Sequence, residues 1–171
     1  MIGKHIKLRA VEPSDIDLLY QWENEVEGWF LSNTVTPFSK FLLEEYVANA
    51  HLDIYTTKQL RMMIEKTNTH KTIGCIDLYD FDILNNRACM GILICKEDRN
   101  KGYASEALSL FIHYSFNTLH LKQLYCNIAS ENTNSLALFK KFNFEIIGLK
   151  KQWLRKDEEW IDEYMLQLIH N

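Results

Sequence analysis

The sequence predicts a mixed α/β (α+β) fold as one unit over residues 1–171, a sheet covered by helices in the order β-α-α-β-β-β-α-β-α-β-β. Three observations carry this. Short apolar or alternating runs of strand length recur from Ile6 to Ile169, first as a meander and then interleaved with segments of helical spacing. With six glycines and two prolines, the chain offers no linker or low-complexity tract at which to divide it. Hydrophobic residues make up 47% and aromatic residues 12%, enough at this length for a sizeable core.

Ile6 to Ala10 alternates as a first strand. Pro13-Ser14-Asp15 opens a helix through about Glu25, with Ile16, Leu19 and Trp22 spaced for one buried face. Ser39 caps a second helix containing Glu44-Glu45-Tyr46-Val47. Gln59 to Lys66 and Thr72 to Phe81 read as adjacent strands joined at Asn68-Thr69-His70. Asn85-Asn86 marks a second turn before the strand Ala88 to Cys95. From Gly102 to Leu119, Ala104, Ala107, Leu108, Phe111, Ile112 and Phe116 share a stripe, so this is the third helix. Gln123 to Ala129 is a short strand. Asn132 or Thr133 opens a fourth helix, which Asn143 ends in a left-handed conformation. Strands from Glu145 to Leu154 and Trp160 to Ile169 close the chain.

Composition excludes several roles. A net charge of −4 with mixed signs argues against a nucleic-acid binder. With no apolar run of membrane-spanning length and no signal segment at the start, the chain reads as a cytoplasmic protein with no membrane partner. Cys75, Cys89, Cys95 and Cys126 sit in apolar runs without ligand spacing, so they read as buried free thiols and no metal is expected.

The chemistry concentrates in "CKEDRNKGYASEALSLF", residues 95–111. An apolar strand leads into Arg99, Asn100, Lys101, Gly102, Tyr103 and Ala104, directly before a helix. A helix N-terminus presents unpaired N–H groups and partial positive charge, and glycine lets the backbone approach a ligand closely. The stretch is built to hold a diphosphate. The bare pattern of Arg/Gln-x-x-Gly-x-Gly/Ala occurs by chance in roughly one chain in seven of this length, so the flanking strand and helix carry the weight.

With that context, the chain resembles the GNAT superfamily of N-acetyltransferases. Arg99-x-x-Gly102-x-Ala104 matches its acetyl-CoA motif, "GYASEAL" continues it, and Asn132-Thr133-Asn134-Ser135 with Lys140-Lys141-Phe142-Asn143-Phe144 resembles its following segment. The likeness is to the branch of ribosomal-protein alanine acetyltransferases and spermidine acetyltransferases. It implies a single acetyltransferase domain over residues 1–171, with a mixed, mostly antiparallel sheet of about six to seven strands flanked by about four helices. It also implies acetyl-CoA as cosubstrate, with pantetheine lying along the backbone of Ile92, Leu93 and Ile94 and Asn132 contacting it near the next helix. The acceptor implied is a primary amine of a small molecule, such as a polyamine, or of a protein N-terminus; a homodimer is compatible with the family. A non-catalytic acyl-CoA sensor is the alternative.

Direct transfer needs a proton taken from the amine and a donor for the leaving thiolate. Neutralising a lysine-like amine at pH 7.4 costs about 4 kcal/mol, against about 0.5 for an α-amine, so a base matters more for polyamines. Asp77, in the apolar run Ile73 to Leu78, matches a position where spermidine-type members carry glutamate and is the candidate base; Asp80 is second. Cys89 stands where many members carry a carboxylate. Phe139 stands where several branches carry an acidic tyrosine, leaving Ser135 or a water for that role. Glu25, Glu27 and Trp29 are the candidate acceptor contacts, by charge and by cation–π attraction. Leu31-Ser32-Asn33 follows where spermidine-type members are acidic.

Overall fold

The computed structural model describes residues 1–32 and 34–170; Asn33 and Asn171 lie outside the described residues. The strands are β1 (Ile6–Arg9), β2 (Leu60–Lys66), β3 (Thr72–Asp82), β4 (Arg87–Ile94), β5 (Gln123–Ala129), β6 (Glu145–Lys156) and β7 (Glu159–Ile169). The α-helices are α1 (Ile16–Glu23), α2 (Trp29–Ser32), α3 (Lys40–Ala48), α4 (Ile54–Thr57), α5 (Tyr103–Asn117) and α6 (Thr133–Lys141). The mixed, mostly antiparallel sheet that the sequence predicts is present. Its order is β1-β2-β3-β4-β5-β7-β6, and among the described residues β4 and β5 form its one parallel pair.

Four helices follow the sequence pattern, while the single turns α2 and α4 have no periodicity to announce them. Local signals hold where they rest on a side chain's reach. Ser39 accepts from the N–H of Leu42 at 3.1 Å, and Asn143 sits at φ 63° behind α6. Asp15 does more than begin a helix. Its carboxylate is buried and takes two bonds from Arg9, at 2.7 and 2.8 Å, while Arg9 also donates to Glu65 at 2.6 Å. That network ties α1 to β1 and β2.

Helices cover both faces. Under α5 and α6 lie Ile64, Ile76, Met90, Leu108, Phe111, Leu124, Phe139 and Leu166. Under α1 and α3 lie Leu19, Leu43, Val47, Met63 and Cys75, with Leu93 against them. The alternation along β4 explains the split: Ala88, Met90 and Ile94 face α5, and Leu93 faces α1 and α3. Each fully buried Leu or Ile contributes about 1.5–3 kcal/mol. Gly74 lets β3 and β4 close up, since a Cβ there would stand 2.0 Å from the Leu93 carbonyl oxygen. The four cysteines are free thiols, three buried and Cys95 half-buried, and burial pushes Cys89 up to about 11.

Candidate active site

The sheet opens at its centre. β4 and β5 pair only through Arg87–Gln123, Ala88–Leu124 and Cys89–Tyr125, and beyond that point the two strands part. The edge of β4 inside the split can be worked out from one bond. The N–H of Cys95 donates to the Ile73 carbonyl at 2.8 Å, and β3 pairs with β4 at Cys75–Leu93 and Asp77–Gly91. Antiparallel alternation therefore turns the backbone of Gly91 and Leu93 toward β3, and that of Met90, Ile92 and Ile94 toward the β5 side, where the split opens beyond the last pair. Of the three residues expected to line pantetheine, Ile92 offers its N–H and C=O. Leu93 is spent on β3, and the Ile94 carbonyl accepts from Arg99 Nε at 2.9 Å. Met90, absent from the sequence reading, shares this edge, but its N–H belongs to the last pair, Cys89–Tyr125, so only its carbonyl reaches the split.

At the top of the split, a single 3-10 turn (Lys96–Asp98) leads to Asn100 at φ 60° and Gly102 at φ 85°. The first bond into α5 runs from the Glu106 N–H to the Gly102 carbonyl at 3.2 Å, so the N–H groups of Tyr103, Ala104 and Ser105 precede it without an intrahelical acceptor. A Cβ built on Gly102 meets nothing within 4 Å. That space, rimmed by unpaired amides at the positive end of a 15-residue helix, fits a phosphate group. Arg99, Asn100, Lys101, Gly102, Tyr103 and Ala104 are thus brought together, although not every side chain points outward. Lys101 Nζ donates to the Glu97 carbonyl at 2.5 Å and to Asp98 at 3.1 Å, leaving its main chain to the cradle.

Asp98 organises this loop. It is 2% exposed and takes bonds from Lys66 at 2.6 Å, Lys101 at 3.1 Å and Lys71 at 3.4 Å. Lys66 holds its carboxyl down near about 2 against the opposing effect of burial, with Lys101 and Lys71 adding to the pull. Lys66 Nζ also lies 5.1 Å from the Tyr103 ring centroid. The β2–β3 hairpin is thereby bolted to the start of α5.

Asp77 lies on the α1/α3 face, beside Gly91, just past the point where β4 and β5 part. Both of its oxygens accept from Arg61, Oδ1 from Nε at 2.8 Å and Oδ2 from Nη2 at 3.0 Å. Arg61 Nη1 donates in turn to Glu23 Oε1 at 2.6 Å. The cluster carries one positive and two negative charges. The sequence reading does not single out Arg61, and it takes Glu23 only as one of three acids in the stretch 23–30 that attracts a cationic amine; the register that sets Arg61 opposite Asp77 is the signal that joins them.

The other candidates stand around this centre. Glu25 and Glu27 both reach Lys96, at 2.5 and 2.9 Å, joining the α1–α2 connection to the loop above the split. Trp29 Nε1 donates to the Glu23 carbonyl at 2.9 Å. Asn132 caps α6 by accepting from the Ser135 N–H at 3.1 Å, so its side-chain oxygen is engaged and its amide nitrogen carries the remaining donors. Ser135 is half-buried in the first turn of α6. Phe139 is 3% exposed and packs edge-on to Phe144, with ring centroids 5.0 Å apart, inside the core. A cavity of about 410 Å³ bordered by Arg87, Gln123, Tyr125, Ile147, Met165 and Gln167 adjoins the base of the split. Among the described residues, no three His, Cys, Asp or Glu side chains converge as a metal site would, and no helix is long and apolar enough to cross a membrane.

A family model described as an acetyltransferase (GNAT) domain matches residues 5–145. The uncharacterised N-acetyltransferase p20 of Bacillus licheniformis is 29% identical over 167 residues, covering 97% of this chain and 93% of the relative. The spermidine N-acetyltransferase of Vibrio cholerae in complex with CoA and spermine has the same fold, with a TM-score of 0.87 at 22% identity over 98% of this chain and 96% of that one. A dodecameric structure of the same enzyme gives 0.80 at 22% identity, over 98% and 95%.

Proposed function

The chain belongs to the acetyltransferase (GNAT) family, and on that premise we propose that it moves an acetyl group from acetyl-CoA directly onto a primary amine. The first candidate acceptor is a cationic small molecule such as a polyamine; a protein N-terminus is second. One observation carries the reading: a strand pair that parts beneath a helix whose first turn is empty around Gly102.

When bound, acetyl-CoA supplies an acyl thioester with a fairly acidic thiol as leaving group. The amides of residues 100–104 and the Arg99 guanidinium would hold its diphosphate, and the split-facing N–H and C=O of Ile92 would pair with pantetheine amides. The amide nitrogen of Asn132 is available as a further donor.

Asp77 serves the acceptor. With one lone pair on each oxygen given to Arg61, it keeps others with which to accept the amine proton, directly or through a water. The net negative charge shared by Glu23, Arg61 and Asp77 draws a cation to this face. Glu25 and Glu27 form its outer rim, exchanging Lys96 for the acceptor, and Trp29 holds the Glu23 main chain in place. Phe139 has no proton to give, so Ser135 or a water serves the thiolate. The free cysteines suit a reducing cytoplasm. The likeness to the dodecameric relative supports an oligomer, with a homodimer as its smallest form.

Thiol release from acetyl-CoA, followed across spermidine, spermine, an aminoglycoside and Ala- and Ser-starting peptides, tests this. Saturable release that depends on a polyamine is the expected result. Saturable CoA binding with no amine-dependent release would instead identify an acyl-CoA sensor, and preference for a peptide would replace the polyamine.

A further inference from the structure

Arg61 is a charged side chain sunk into the α1/α3 face, one strand further from the split than Asp77, where it touches no expected ligand. Four groups surround it. Asp77 from β3 takes Nε at 2.8 Å and Nη2 at 3.0 Å, and Glu23 from α1 takes Nη1 at 2.6 Å. The Tyr46 ring of α3 lies 5.8 Å from the guanidinium carbon, and the buried thiol of Cys75 sits two residues before Asp77 on the same face of β3. Burial opposes the guanidinium's charge, and the charges of Asp77 and Glu23 more than offset it.

Such an arrangement is a poor way to gain stability. Removing three charges from water is expensive, and apolar side chains of similar volume commonly do as well or better in that place. Its geometry, by contrast, suits orientation: a planar fork bound through two nitrogens fixes the plane of a carboxylate as a lysine ammonium cannot. Asp77 stands beside Gly91, at the point where β4 leaves β5.

We propose that Arg61 is a positioning residue for the acceptor step: its forked grip sets the Asp77 carboxylate in a fixed orientation over Gly91, on the face where the amine arrives. This rests on the reading of the chain as an amine acetyltransferase with Asp77 serving the acceptor. Arg61 acts through Asp77 and touches no part of the cofactor cradle, so its loss should appear in kcat and in the pH profile while the KM for acetyl-CoA stays put.

The test is steady-state kinetics with acetyl-CoA and spermidine between about pH 6 and 9, on the wild type, Asp77→Asn, Arg61→Met and Arg61→Lys, each checked for folding by thermal melt. Arg61→Met should leave the KM for acetyl-CoA within about twofold and lower kcat at pH 7 by roughly 10- to 100-fold. Its acid limb should move to higher pH, because the Asp77 carboxylate would then face Glu23 with no cation between them. Arg61→Lys should keep the wild-type limb and recover part of kcat. Should Arg61→Met fail to fold, the Glu23→Gln/Arg61→Gln pair removes the fork without leaving two facing carboxylates, and the same loss of kcat at constant KM for acetyl-CoA is expected.

A folded Arg61→Met (or Glu23→Gln/Arg61→Gln) enzyme with kcat within about twofold of wild type overturns the proposal, as does an equal loss in Arg61→Met and Arg61→Lys with an unmoved limb. So does an Asp77→Asn enzyme with undiminished turnover. A wild type that acetylates no amine would bring down the function itself, an outcome distinct from an active enzyme indifferent to Arg61.

Discussion

Gly102 carries two requirements at one position. Its φ of 85° belongs to the left-handed region, and the space where its Cβ would stand is clear of protein within 4 Å. Valine there should weaken acetyl-CoA binding severely by calorimetry, while the melt reports backbone strain of only about 1–2 kcal/mol. Asp98 is the second residue on which the cradle depends. Asp98→Asn leaves Lys66, Lys71 and Lys101 without their shared counter-charge, so stability should fall by roughly 2 kcal/mol and the KM for acetyl-CoA should rise. Gly102 was legible from sequence as the glycine that lets a ligand close to the helix start, a local signal, while its left-handed φ came with the structure. Asp98 was not: "KEDRN" has the look of a solvated charge run, and the lysines that bury it come from 27 and 32 residues earlier as well as from the next turn.

At the scale of the element, α6 shows how a matching position can lose its chemistry. Asn132 caps it as the sequence suggests, but Phe139 turns into the core against Phe144. Phe139→Tyr would thrust a hydroxyl among apolar side chains. It should lower stability by about 1–3 kcal/mol in denaturant unfolding and leave thiol release no faster. A clear gain in turnover would show that the helix can present this position to the split. β4 is the opposite case. Its apolar run gives its burial away, yet which of its amides face the split depends on pairing with β3, and a shift of one residue would exchange Ile92 for Leu93.

Over the whole molecule, ionic ties knit elements that the core alone does not fix. Glu65 is the partner of Asp98 in this respect. Burial would raise its carboxyl, but bonds from Lys7, Arg9 and His70 hold it at about 2, as Lys66 holds that of Asp98. Both groups titrate lower in the folded chain than their ordinary values of 4.5 and 3.8. Their stabilisation is therefore complete above about pH 5 and is lost as the pH falls toward about 2, where the unfolded chain takes up protons that the folded one refuses. Acid unfolding followed by circular dichroism should show that loss, with Asp98→Asn flattening its lower part. A melting temperature constant from about pH 5 to 2 would count against both ties.

Sequence by itself determined the strand and helix order, the four longer helices, the glycine at the mouth of α5 and the family, because periodicity, caps and the Arg99-x-x-Gly102-x-Ala104 loop are written within a few residues of one another. Only the tertiary structure decided which backbone edge lines the split, that Lys101 turns to Asp98, and that Asp77 arrives already held by Arg61, which Glu23 binds from its other side. Those outcomes depend on strand register and on partners brought together from distant segments. Register is fixed by how the whole sheet packs, which no short stretch of sequence contains.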